Sequence, residues 1–233
     1  MIQIVPASAR YVAEHGWLTS RFSFSFAEYR DSNNLQFGSL RVFNDDTIQP
    51  KKGFGMHPHA DMEIVTCVLE GTLEHKDSMG NIGLIEAGEV QRMTAGTGIY
   101  HSEYNHSHEQ PVHLLQLWFL PGTKNLTPSW EQRRFTEDQQ VDRLLPVVSN
   151  AQHGNALSIN QDVTIYLSRL SAGKELTHQQ SQGRRMYVFI MEGAISLNEE
   201  PRMTAGDVAR ITELSELQIA TEQGAHYMLI DLA

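Results

Sequence analysis

The sequence predicts a mainly β protein whose single chain forms two β-sandwich or barrel lobes. Three observations carry this: short apolar runs closed by turn residues, one clear hairpin signal, and an internal echo of a strand-turn-strand unit. The runs lie at residues 40–43, 62–69, 83–85, 112–120, 164–170, 186–191 and 227–232. They are rich in Val, Ile, Tyr and Phe and bounded by Gly, Asn and Asp, which marks strands rather than helices. Between them, LEGTLEHKDSMGNIGLIEAGE reads as a hairpin, because Ser78, Met79, Gly80 and Asn81 separate two strand-like arms with residues that tolerate positive φ. The echo pairs VLEGTLE at 68–74 and EAGEV at 86–90 with IMEGAIS at 190–196 and TAGDV at 204–208. Two copies of one unit imply a duplicated sandwich rather than one long sheet. The second copy has the shorter hairpin. The expected divisions are a first lobe over 1–130, a connector over 131–155 with a helical piece over 129–143, and a second lobe over 156–233.

Composition narrows the function classes. The chain has 233 residues, 40% of them apolar, enough for real cores. Its formal charge is -10 with only 18 Lys and Arg, so it has no basic footprint and direct nucleic-acid binding is not expected. Residues 1–20 lack a basic segment followed by an apolar run, and no apolar stretch reaches membrane-spanning length. One cysteine, Cys67, permits no intramolecular disulfide and no Cys-rich zinc site. A cytoplasmic protein without membrane contact is the expectation.

Chemistry concentrates in two short segments, GFGMHPHADMEI with His57 and His59, and TGIYHSEYN with His101 and Glu103. Residues two apart in a strand share a face, so His57, His59 and Glu63 can look into one cavity, as can His101, Glu103 and Asn105. Two such strands facing one another bring together three imidazoles and a carboxylate. That donor set suits a divalent transition metal and leaves coordination positions open. Glu63 reads best as a hydrogen-bond acceptor that fixes a metal-binding imidazole. Cys67 shares its strand parity and reads as a small core residue. His15, His75, His106, His108, His153 and His226 read as structural or solvated.

Beyond these elements, the chain resembles a known family. His57, Pro58, His59, Glu63 and Gly71 match the first cupin motif loosely, and Gly88, Gly98, His101 and Asn105 the second. Closer likeness is to the pirin family, through HGWLTSRFSFSFAEYRD at 15–31, GSLRVFNDD at 38–46, GFGMHPHADMEIVTCVLEGTLEHKDSMGN at 53–81, AGTGIYHSEYN at 95–105 and LQLWFLP at 115–121. The resemblance implies a bicupin with two jelly-roll-like lobes. It implies one divalent metal ion, Fe(II) before other transition metals, held in the first lobe by His57, His59, His101 and Glu103. It further implies quercetin 2,3-dioxygenase-like activity, the oxygenative cleavage of a flavonol or related enol with O2, in a monomer. Glu103 is the candidate catalytic base. The alternative it implies is a non-enzymatic, metal-bound and redox-sensing regulatory or interaction protein with an unidentified protein partner. In the second lobe His178 falls near the place of His57, but no His-x-Glu follows Gly206. That lobe is expected to hold no metal.

Overall fold

The computed structural model describes every residue except Gln152 and Glu199. In chain order its strands begin with β1 (Ile2–Val5), β2 (Tyr11–Glu14), β3 (Leu18–Phe22), β4 (Leu40–Ile48), β5 (Gly53–His59), β6 (Glu63–Glu70) and β7 (Thr72–Asp77). They continue with β8 (Ile82–Glu86), β9 (Glu89–Thr94), β10 (Ile99–Asn105), β11 (Val112–Phe119) and β12 (Ser129–Arg134), then the helix α1 (Glu137–Gln140). After it come β13 (Leu145–Ser149), β14 (Leu157–Ser158), β15 (Val163–Leu170), β16 (Glu175–Gln179) and β17 (Arg185–Leu197). The last are β18 (Met203–Thr204), β19 (Val208–Ile211), β20 (Glu216–Ala220) and β21 (Ala225–Leu232). Internal contacts divide the residues into two compact units: Tyr11–Arg134 with Ile159–Gln161, and Met1–Arg10 with Phe135–Ser158 and Asp162–Ala233. No helix among the described residues is long and apolar enough to cross a membrane.

The Tyr11–Arg134 unit has two antiparallel sheets. Seven strands run in the order β12-β9-β6-β11-β4-β3-β2, and four in the order β5-β10-β7-β8. Side chains alternate across the pleat as a half-buried sheet requires. In β8, Gly83 and Ile85 are buried while Ile82, Leu84 and Glu86 are exposed. The expected hairpin joins β7 to β8, and one oxygen of Asp77 ties its turn by accepting the amide N–H of Met79 at 2.9 Å and of Asn81 at 3.0 Å. Leu18, Ile48, Val68, Leu73, Ile85, Val112 and Leu114 pack as one apolar cluster in this unit.

The other unit is built around β17, whose 13 residues pair with β19, β21, β18 and β20 in succession. The echo seen in the sequence is an echo of structure. Gly71 follows β6 with φ 78, and a Cβ there would meet the Pro111 carbonyl oxygen at 2.8 Å, where the chain enters β11. Gly193 within β17 has φ 74, and its Cβ would meet the Gly224 carbonyl oxygen at 2.2 Å, where the chain enters β21. Both positions therefore need glycine for its backbone and for its missing side chain. Opposite His178 on β16 lies Leu217 of β20, with Ile219 two residues on. Both are fully buried in the apolar core of this unit.

Two expectations change. The helical piece over 129–143 contracts to Glu137–Gln140, because residues 129–134 form β12 and pair along their whole length with β9. Its polar, Gln- and Arg-rich composition belongs to an edge strand, where charge is tolerated. The second is the strand parity assumed from His59 onward, while the reading of Cys67 as a small core residue stands. Asp61, at φ 46, lies between β5 and β6, so strand parity is not carried from His59 to Cys67. Thr66, of the opposite parity, is the residue whose hydroxyl faces Glu103, while Cys67 is buried and its thiol is pushed up to about 12 by burial.

His178 sits in a satisfied ionic network. Its Nε2 lies 3.0 Å from Asp231, whose other oxygen accepts the Arg184 Nε–H at 2.5 Å. Arg184 Nη1 also donates to both oxygens of Asp162, at 3.0 and 2.9 Å. Burial pushes the Asp231 carboxyl up, but the bonds from His178 and Arg184 outweigh it and hold the group below its usual range. A depressed carboxyl contributes stability that is present above its unfolded value, about 3.9, and lost as pH falls through the folded value. Denaturant unfolding of wild type and Asp231→Asn should show a stability gap at pH 7 that shrinks towards pH 2. A gap independent of pH would contradict this role for the charge.

Candidate metal centre

Antiparallel pairing of β5 with β10 builds the site, setting His57 opposite His101. On β10, His101, Glu103 and Asn105 turn inward, whereas Tyr100 and Tyr104 are exposed. The register shifts between His101 and Glu103 against β5. The ring centroids of His57 and His101 are 4.5 Å apart, those of His57 and His59 4.8 Å, and those of His59 and His101 4.9 Å. One nitrogen from each of the three lies within 4.8 Å of the others.

Imidazoles packed this closely cannot all be charged. Burial, then the neighbouring His101 and His57, pushes His59 down to about 3. Burial, then His57 and His75, pushes His101 down to about 3 against the pull of Asp77. Both rings are therefore neutral at pH 7 and carry a lone pair. Nδ1 of His57 lies 2.8 Å from the Gly55 carbonyl oxygen, which selects the tautomer that leaves Nε2 free to donate its lone pair. Nε2 of His59 and both nitrogens of His101 are buried without a hydrogen-bond partner. Such orphans are costly in a folded protein, and a divalent cation is the group that would satisfy several neutral imidazole lone pairs at once.

Glu103 is 3% exposed and is gripped from the facing sheet. Gln91 Nε2 on β9 donates to Oε1 at 2.8 Å, and Gln116 Nε2 on β11 donates to Oε2 at 2.9 Å. Thr66 donates to Gln116 Oε1 at 3.1 Å, and Trp130 Nε1 donates to Gln91 Oε1 at 2.8 Å, so both amides are themselves oriented. Burial pushes the Glu103 carboxyl up, opposed by His75, His57 and the bonds from Gln91 and Thr66. A bound cation would favour its ionised form. The site opens onto a cavity of about 420 Å³ whose walls include Trp17, Phe26, Phe54 and Trp118, within the range of small-molecule sites.

Two residues expected at the cavity do other work. Glu63 is fully buried, and its Oε2 accepts the Thr94 hydroxyl at 3.0 Å and the Asn160 amide at 3.3 Å rather than a bond from a metal-binding imidazole. Asn105 donates to the Ile48 and Gln110 carbonyls at 2.9 and 2.8 Å and so anchors the loop after β10. Conversely, His75, read from the sequence as structural or solvated, is 0% exposed and forms a second close group with His101 and Glu103. Gln91, Gln116 and Thr66 were also not anticipated. The available signal for His75 was its parity with Asp77, but its place opposite Glu103 depends on pairing between β7 and β10.

Known proteins match over the whole chain. The pirin model matches residues 6–119, and the model described as the quercetinase C-terminal cupin domain matches residues 146–232. A protein named quercetin 2,3-dioxygenase from Escherichia coli strain K12 is 42% identical over 232 residues, spanning 100% of this chain and 99% of that one. A pirin-like protein of Caulobacter vibrioides is 37% identical over 222 residues, 95% of either chain. The crystal structure of the bacterial pirin YhhW from Escherichia coli in complex with nickel(II) superimposes with a TM-score of 0.94 at 41% identity, covering 100% of this chain and 99% of that one. With both lobes matched in order and relatives alike from end to end, the chain belongs to the pirin family and is a bicupin.

Proposed function

We propose that the protein is a metal-dependent dioxygenase of the quercetin 2,3-dioxygenase type, cleaving a flavonol or related enol with O2 at one ion held by His57, His59, His101 and Glu103. The observation that carries this reading is the cluster of three close imidazoles, with His59 Nε2 and both His101 nitrogens buried and unpartnered, beside a buried carboxylate at the end of an aromatic cavity. The name of the Escherichia coli relative supports the substrate class, and the nickel(II) in the related pirin structure supports a divalent ion. Fe(II) is our assignment among the transition metals that suit these donors.

When bound, the ion supplies Lewis acidity and open coordination positions. The chain supplies the rest. Trp17, Phe26, Phe54 and Trp118 form apolar walls against which a planar aromatic substrate is oriented. Glu103 is the group to receive the proton of the substrate's 3-hydroxyl, because Gln91 and Gln116 fix its carboxylate while Oε2, which accepts the Gln116 amide, keeps a further lone pair. We assign this activity to a monomer in the cytoplasm, without nucleic-acid or membrane partners. The test is anaerobic addition of a flavonol to Fe(II)-loaded protein, followed by O2. A shifted flavonol absorption band and then carbon monoxide are expected, and neither event in fully loaded protein would overturn the reading.

A further inference from the structure

Two donor groups overlap at His101. The outer one comprises His57, His59 and His101, and the inner one His75, His101 and Glu103, with one donor atom from each residue lying within 4.8 Å of the others in its group. The inner residues are 0%, 2% and 3% exposed, whereas His57 and His59 are only half-buried. His75 is placed by its strand, since pairing of β10 with β7 sets it opposite Glu103 and sets Asp77 opposite His101. Its Nε2 lies 3.2 Å from Asp77 Oδ2, and the stacked Trp130 ring, 5.1 Å away at 12°, fixes its plane. Asp77 is held in turn by Met79 and Asn81. A carboxylate at Nε2 selects the tautomer with its proton there and its lone pair on Nδ1, and Nδ1 of His75 is buried without a partner. A carboxylate behind an imidazole that donates to nothing else is the arrangement that orients metal-binding histidines and raises their basicity.

We propose that the centre holds its ion in either of two positions, the inner one made by His75, His101 and Glu103. This rests on the reading that the lobe binds a divalent metal. Charge favours the inner position. The Glu103 carboxylate is common to both positions, but the inner one also has Asp77 behind His75, a second negative charge facing a doubly charged ion in a site of low dielectric. Dehydration opposes it, because all three inner residues are buried. A neutral imidazole has one lone pair, so His101 serves one position at a time and the capacity stays at one ion per chain.

Cobalt(II) titration followed by isothermal calorimetry and visible absorption tests the proposal. Wild type is expected to bind one equivalent. His57→Ala/His59→Ala should still bind one equivalent, weakened about 10–100-fold, and adding His75→Phe, which keeps the stack on Trp130, should remove at least another factor of about 100. If the double variant binds no cobalt, or binds it equally well with Phe at position 75, the inner position is overturned while the metal reading survives. If wild type binds none, both fall. Should the triple variant not fold, Asp77→Asn in the double variant gives a second reading: a shifted cobalt band is expected, and an unchanged one contradicts the proposal.

Discussion

Replacing His101 by alanine is expected to remove metal binding while leaving the metal-free fold as stable as before. The residue is shared by both donor groups, and its two ring nitrogens have no protein partner. Its loss should lower divalent-metal affinity by more than about 100-fold, since disturbing groups one bond farther from a metal already costs about 10–100-fold. The same absence of partners means that no protein hydrogen bond is broken by the substitution. Its two buried, unpartnered nitrogens already cost the folded chain, so relief of that penalty offsets the small void it leaves. Paired measurements of metal affinity and metal-free melting temperature check this. Unchanged metal binding, or a large loss of metal-free stability, would mean that His101 is a structural core residue.

Gly53→Ala is expected to damage fold and centre together. A Cβ at Gly53 would lie 2.2 Å from the Glu103 carbonyl oxygen and 2.5 Å from the Tyr104 Cα, both backbone atoms that no side-chain rotation can move. β5 must then withdraw from β10, and with it His57 from its place opposite His101. Overpacking of this kind costs about 1–3 kcal/mol. Metal affinity should fall at least about tenfold, because donor geometry depends on the same pairing. Gly55→Ala on the same strand is the control: its Cβ would meet only the Tyr104 hydroxyl, at 3.7 Å. Equal stability and equal metal affinity in the two variants would contradict this account of how the strands position the donors.

The clustering of the proposed metal-binding residues was legible because their spacing is local. His57 with His59, and His101 with Glu103, each declare a shared face within three residues, and cross-strand pairing turns two local statements into one site. The duplicated architecture was legible because Gly71 and Gly193 mark the same close approach in both units. What escaped the sequence was set by register between distant strands. Gln91 and Gln116 reach Glu103 from the other sheet, and nothing near them in sequence distinguishes them from solvated amides. His75 was hidden for the same reason, since polar neighbours surround it in sequence while Glu103 and Trp130 surround it in space. The polar stretch 129–134 reads as helix until β9 is known to lie beside it. Parity failed at Cys67 because one residue in the left-handed region, Asp61, resets the count.

The central claim is that the first lobe holds one divalent ion through His57, His59, His101 and Glu103. Anomalous diffraction at the iron absorption edge, from crystals of protein loaded anaerobically with Fe(II), tests it most directly. A single anomalous peak within coordination distance of His101 and Glu103, bounded by His57 and His59 or, in the inner position, by His75, is the expected result. A peak elsewhere in the chain, or none in protein shown by elemental analysis to be loaded, would contradict it.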